Sequence, residues 1–331
     1  MATRLYDPFE NLNLDPQTCF LTGEDLHTRE EQIPVFPQWL IDRYSLHQKK
    51  MVMMDQVTSF SYPDLKIPCS DFVRKTALDP LEEEIEKAFS AGYEQVKALS
   101  GERLFQWMAK LLYGVLYNDL LIEKEKAARR KKEFKLSPLL QKRFKKLHLM
   151  LQSLVVPIDF TGLKPWSIRV VKVRYSKDIF NYKDEPINMN FSLGMNDFGI
   201  VACLQDNGAV GIQQQDIINK ISDSVLHPIQ FEELCARFIY SNYLLKRYAE
   251  YNIGATEDKV MIESVPLTGT TTQSLFGPWD DNMFAQVLAD YWKPWGITKN
   301  EIYSPPDAPI SYLENDYTNE FIEPHSITLP Y

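Results

Sequence analysis

The hydrophobic pattern of the chain changes period at Pro157, and no other feature constrains the fold as much. Upstream, apolar residues recur every three or four positions, as on one face of a helix; downstream they alternate, as on one face of a strand. Helices first and strands after is the order of an α+β protein, not of a chain that alternates the two.

Three helices are predicted. In the first, Asp79 stands as a cap, Pro80 fits the opening position, and Glu82 to Glu84 put negative charge where the helix dipole favours it. Leu81, Ile85, Phe89, Val96 and Leu99 supply its apolar stripe, with Gly92 as a weak point. The second follows Gly101 through Leu104, Trp107, Met108, Leu111, Leu112, Val115 and Leu116, and should pack on the first. The third opens with Ser137 as cap and Pro138 behind it, and buries Leu140, Phe144, Leu147, Leu151 and Leu154. Its other face should carry Lys142, Arg143, Lys145 and Lys146.

Beyond Pro157 the pattern predicts a mostly antiparallel sheet region with helices. "WSIRVVKVRY" alternates through Trp166, Ile168 and Val170, then slips by one to Val171, Val173 and Tyr175, which suggests a bulge. "FGIVACLQDNGAVGI" reads as a hairpin, because Asn207 and Gly208 tolerate the positive φ of a tight turn. A helix around Phe231 to Tyr251 and a strand at "KVMIESV" (Lys259 to Val265) follow. The first 78 residues are irregular, with short strands around Met51 to Val57 and a turn at Ser61 to Asp64, and suit a small knuckle-and-hairpin module. From Tyr303 onward the chain is rich in proline, tyrosine and acid and reads as an extended tail. Its large apolar residues, from Tyr312 and Leu313 to Tyr331, imply that it lies along the protein's own surface or on a partner. The expected divisions are residues 1–125, 126–156, 157–302 and 303–331.

Charge is unevenly placed. Between Lys124 and Lys146 there are eleven basic residues against two acidic ones, in a chain whose net charge is −9. Such asymmetry points to a polyanionic partner, with Arg129, Arg130, Lys131, Lys132, Lys142, Arg143, Lys145 and Lys146 as the candidate nucleic-acid-binding residues. Four scattered cysteines form no CxxC pair, and five histidines show no metal-ligand spacing. No stretch approaches the roughly 20 apolar residues of a membrane span, and no signal-peptide core opens the chain, so a cytoplasmic location is expected. P-loop, GxSxG and GxGxxG motifs do not occur.

Several N-terminal stretches share a further pattern: "CFLTG", "TREEQIPVFPQWL", "IPCSDFV", "LEEEIEKAFSAGYEQV" and "LFQWMAKLLYGVLY". Over roughly residues 15 to 120, about a third of the chain, this run resembles the HNH-endonuclease-like, treble-clef zinc proteins. The resemblance implies two CxxC knuckles whose four thiolates hold a structural zinc about 2.3 Å from each sulfur, and a histidine after a glutamate that polarises the attacking water. This chain departs from that pattern at each point. Thr22 takes the second cysteine place, Phe72 the fourth, Val73 the asparagine place, and Gln32 follows Glu31 where histidine belongs. Glutamine does not exchange a proton near neutral pH as imidazole does. Cys19, Phe20, Leu21 and Phe72 are therefore expected to form an apolar plug in place of zinc, with Trp39 and Leu40 nearby.

These readings lead to a degenerate treble-clef module with helices, a basic linker and helix, an α+β region and a tail. No catalytic residue, metal ligand or cofactor is assigned, and the expected function is non-catalytic association with DNA or RNA through the basic surface. The alternatives are a protein-interaction scaffold docking through the Trp279 to Trp295 region and the tail, and a still-active HNH-type nuclease.

Overall fold

The structure, a computed structural model, describes residues 5–10, 12, 14–267, 274–315, 317–327 and 329. Tyr331, assigned above to the tail, lies outside them. Helix accounts for 43% and strand for 19%, distributed over several small sheets, which makes the chain mixed α+β. No described helix is long and apolar enough to cross a membrane. The chain forms two compact units, the first from Met1–Ala91, Ala98–Thr161 and Asn252–Glu263, the second from Gly92–Lys97, Gly162–Tyr251 and Ser264–Tyr331.

Unit 1 begins with a two-stranded antiparallel pair, β1 (Gln32–Pro34) with β4 (Lys66–Pro68). Between them lie α1 (Gln38–Arg43) and a short hairpin of β2 (Lys50–Val52) and β3 (Ser59–Ser61). The strand expected to run to Val57 stops early, because the Asp55 carboxylate accepts the amides of Val57 and Thr58 and turns the chain.

The first long helical run starts at Asp71, not at Asp79. Ser70 Oγ accepts the Val73 amide, α2 (Asp71–Val73) passes into a π turn over Arg74–Leu78, and α3 (Asp79–Ala91) continues. Pro80 signals a helix start because it has no N–H, but the π turn ahead of it absorbs that defect within a continuing helix. Gly92, at φ +95°, ends α3, and the residues beyond it form a separate helix, α4 (Tyr93–Ala98). A single stripe through Val96 and Leu99 is therefore not formed.

Helix α5 (Gly101–Arg129) is the centre of unit 1. Ser100 Oγ caps it through the Arg103 amide at 3.1 Å, and every residue from Leu104 to Tyr117 is buried. It runs through residue 125 without a break. Packing on α3 is joined by Glu82, which accepts from Trp107 Nε1 at 3.0 Å and from Lys110 Nζ at 2.9 Å. Helix α6 (Pro138–Leu151) starts as predicted, with Ser137 Oγ accepting the Leu140 amide. Strand β5 (Ile158–Gly162) follows it.

Unit 2 is built on a five-stranded sheet of β6 (Ser167–Val173), β7 (Phe180–Glu185), β8 (Asn190–Met195), β9 (Phe198–Cys203) and β10 (Val225–Leu226), in the order β10-β6-β9-β8-β7. All pairings are antiparallel except β10 with β6. The expected bulge is absent: β6 pairs with β9 in unbroken register from Ser167↔Cys203 to Lys172↔Phe198. Val171 and Val173 face the core, while Ile168 and Val170 on the opposite face are half-buried, so the doubled valine reflects a strand with apolar cover on both sides.

The hairpin predicted at Asn207-Gly208 is also replaced. Tight turning occurs instead between β8 and β9, at Asn196 with φ +54°. Asn207 and Gly208 do adopt positive φ, at +49° and +77°, but they lead into α7 (Ala209–Gln213). The buried Asp206 carboxylate accepts the amides of Gly208 and Val210, at 3.3 and 2.8 Å, and draws the chain into a helix.

After α8 (Gln215–Ile221) comes α9 (Pro228–Leu244), which ends before the expected Tyr251. One side of α9 shares a core with β6, β9, α7 and α8 through Phe231, Leu234 and Phe238. Another shares a core with α10 (Asp281–Trp292) through Ala236, Tyr240, Leu288 and Trp292. Tyr251 itself starts β11 (Tyr251–Ala255), which pairs with β12 (Val260–Ser264); β12 in turn pairs with β5. A last short helix, α11 (Lys299–Ile302), precedes the tail.

The tail lies on its own chain. Leu313 is fully buried, the Tyr312 ring packs 5.0 Å from that of Trp292, and Ile327 and Leu329 border the same core. Gln230 Nε2 donates to the carbonyls of Tyr312 and Ile322, and Glu233 accepts from the Tyr312 and Leu313 amides and from Ser311 Oγ.

Candidate functional site

Of the residues read above against the zinc pattern, Cys19 and Cys69 meet in unit 1. A knuckle closes where Gly23, at φ +73°, donates its amide to the Cys19 carbonyl at 2.9 Å, and where the Cys19 amide reaches the Glu24 carbonyl at 2.8 Å. The Phe20 amide then bonds the Pro68 carbonyl at the end of β4, which sets Cys19 beside Cys69 at the head of the helical run. Both thiols are buried. The neighbouring Cys69 thiol, with help from Thr22 and against burial, lowers the Cys19 pKa, and the same contact together with burial raises that of Cys69, whose Sγ also lies 3.5 Å from the Ser70 carbonyl.

The donors here do not fit zinc. A structural site needs four ligands in a tetrahedron, and among the described residues no three His, Cys, Asp or Glu side chains gather as a metal group. Thr22 is turned to Glu24, its hydroxyl 3.0 Å from Oε2. The expected plug is corrected as well: Phe72 is 70% exposed and stands outside it. Position 72 is on the outer side of the first helical turn, while Val73, one residue on, is the buried one. Phe20 instead stacks on Tyr113, centroids 5.6 Å apart, and Leu21 and Leu40 are buried, whereas Trp39 packs edge-on against Phe89 at 6.1 Å. Gln32 is exposed at the start of β1, opposite Pro68.

Beside the knuckle sits a histidine that the sequence pattern does not single out. His148 is buried on α6; its Nε2–H donates to the Phe20 carbonyl at 2.6 Å and its Nδ1 accepts from Gln152 Nε2 at 3.3 Å. These partners assign the neutral imidazole with its proton on Nε2. Burial pushes its pKa down to about 4, with the Phe20 carbonyl and Asp7 opposing. It is a structural post, not a ligand.

The basic segment divides into engaged and unengaged parts. Lys124 donates to the Leu14 carbonyl at 3.0 Å, Lys126 reaches Asp55 at 2.6 Å and Glu123 at 2.8 Å, and Lys135 pairs with Glu133 at 2.8 Å. Lys145 pairs with Asp7 at 2.5 Å, Lys146 is half-buried and Lys142 is exposed. Arg143 is buried, contrary to the expectation that it lies on the outer face. Position 143 falls four residues before Leu147 and seven before Met150, so it shares their inward stripe.

At the C-terminal end of α5 and in the loop beyond it, Arg129, Arg130, Lys131 and Lys132 are all exposed. Arg129 lies 3.4 Å from Glu125; Arg130, Lys131 and Lys132 make no ion pair or side-chain hydrogen bond among the described residues. The negative end of the helix dipole favours cations here. No family model, curated protein or solved structure matches this chain.

The chemistry-bearing residues missed above are those buried on α9, namely Gln230, Glu232 and Glu233. A signal was present: "IQFEELCARFIY" sets two acids and an amide, with one arginine, inside a mostly apolar run, which asks for buried partners beyond Arg237.

Proposed function

We propose that this chain is a non-catalytic nucleic-acid-associated binding protein with a treble-clef-like frame that no longer holds a metal, and that it contacts phosphates through Arg129, Arg130, Lys131 and Lys132. The observation that carries the reading is the exposed run Arg130 to Lys132, which has no internal anion among the described residues although the chain as a whole is acidic. Arg143 is left out because it is buried, and Lys145 contributes less because Asp7 already holds it. Support for the frame comes from the knuckle at Cys19, its meeting with Cys69, and a helical run that opens directly after Cys69. The tail is not carried into the proposal, since Tyr312, Leu313 and Ile322 are engaged on α9.

Contacts of this kind read backbone charge and not sequence. Gel shifts of a duplex and of a single strand across a salt series test the proposal. Four phosphate contacts give a slope of log K against log salt on the order of −3 to −4 on duplex. Reversing the four residues to Glu should abolish binding; no binding at low salt, or binding that survives the reversal, refutes it.

A further inference from the structure

Unit 2 contains a cavity that the basic surface does not use. It is about 410 Å³ in volume and opens between the β7–β8 hairpin, α9 and α10. That volume is in the range of small-molecule sites, about 300 to 1,000 Å³. Ile239 and Tyr243 from α9 and Met283 and Tyr291 from α10 give it an apolar and aromatic wall. Two of these are exposed to an unusual degree for their type, Tyr243 at 64% and Met283 at 45%. Tyr243 is also held in place, stacked on the buried Tyr240 with centroids 6.3 Å apart and planes 14° from parallel.

The charged groups of the lining, Glu185 and Asp290, favour a positive ligand. Glu185 is fixed at the end of β7, because one carboxylate oxygen accepts both the Asn188 amide at 2.9 Å and Asn190 Nδ2 at 3.1 Å. Its other oxygen makes no hydrogen bond among the described residues. Asp290, exposed on α10, makes neither an ion pair nor a hydrogen bond among them. Among the described residues, no Lys, Arg or His lines the cavity. The nearby cation, Lys183, is committed to Glu232 and sits 4.8 Å from the centroid of the Tyr291 ring, which shows that this ring already attracts positive charge.

We propose that this cavity binds an organic cation, a protonated or quaternary amine carried on an apolar or aromatic body. The ammonium group would sit between Glu185 and Asp290, and the body would lie against Tyr243, Met283 and Ile239. Two carboxylates that face no cation among the described residues, beside aromatic rings, attract such a group through charge and ring quadrupole together, and a neutral ligand of the same shape loses both.

Phenethylammonium and 2-phenylethanol, alike in shape and different in charge, are suitable probes. With the intact chain labelled at its methionine methyls, the Met283 signal reports filling of the cavity, and the remaining methionines report that the fold is unchanged. Phenethylammonium should shift Met283 to saturation and bind about tenfold more tightly than the alcohol. Glu185→Gln, which keeps an acceptor for Asn188, and Asp290→Asn, on an exposed helix face, should each weaken the amine by about threefold and leave the alcohol unchanged. An unmoved Met283 signal, equal affinity for the two probes, or a preference that survives both substitutions overturns the proposal. So does a Met283 shift that follows protein concentration without any amine, since a second copy of the chain would then be the occupant.

Discussion

Helix α5 in unit 1 and helix α9 in unit 2 are both buried on almost every side, and each carries polar side chains into that interior. They satisfy those groups differently. On α5, Lys110 is met by the Val35 carbonyl and Glu82, and Gln106 by Arg103 and Ser153, but among the described residues Asp119 receives only the Met54 amide and its second oxygen has no partner. On α9, Glu233 is saturated by Arg237, Ser311, Tyr312 and Leu313, and Glu232 by Lys183 and Asn181. The difference shows where each unit keeps its tolerance. Unit 1 has an interior carboxylate with spare capacity, whereas unit 2 has closed its own by recruiting a distant segment.

Removing the best-satisfied group should have the largest effect. Glu233→Ala leaves Arg237 with Glu314 alone at 3.2 Å and strands the Tyr312 amide and the Ser311 hydroxyl, and should destabilise unit 2 by about 3 to 5 kcal/mol. Denaturant titration reads the loss, and faster proteolysis near Tyr317, which is 98% exposed, reads release of the tail. Full retention of stability would mean that apolar contacts alone hold the segment.

A smaller effect belongs to His148. Its folded pKa lies below the ordinary value of 6.5, at about 4, so its contribution is complete above pH 6.5 and is lost as pH falls through 4. The shift corresponds to roughly 3 kcal/mol. Urea unfolding of unit 1 should show that acid slope, and a His148→Gln variant should flatten it; equal slopes would place the acid sensitivity elsewhere.

Asp119 should give the smallest change and the opposite sign. Burial, with Asp55 and Glu123 adding and the Met54 amide opposing, raises its pKa to about 6. The stability it contributes is then present below pH 3.8 and lost as pH rises through 6. Asp119→Asn should therefore stabilise the protein by about 1 kcal/mol at pH 7, after allowance for solvent screening, and by nothing at pH 3. Destabilisation at pH 7 would show that the unpartnered oxygen has a partner in solution.

Much of the fold can be read from local chemistry. Ser137 and Pro138 start α6 as expected, the stripe from Leu104 to Leu116 is buried throughout, and the alternation in "KVMIESV" is the in-and-out pattern of β12. The misreadings share one cause: a residue suited to a local conformation was given the commonest context for it. Pro80 fits a helix start and follows a π turn; Asn207-Gly208 fits a hairpin and enters a helix; Phe72 looks like core and faces solvent. At Asn207-Gly208 the deciding group is the neighbouring Asp206 carboxylate, whose burial is not visible in the local pattern. The candidate phosphate-contacting run was visible as charge, but Arg143 could be separated from it only by its register with Leu147, and the α9 carboxylates only by knowing what lies against them.

The seating of Leu313 against α9 also orders events during synthesis. The strands of unit 2 have all left the ribosome once Leu226 has emerged, yet Glu233 must wait for an amide 80 residues further along. Over that interval the nascent helix holds a carboxylate destined for burial, and it gains by staying in water until Tyr312 and Leu313 arrive. The hydrogen bonds that satisfy Glu233 are therefore completed only after the tail has been synthesised.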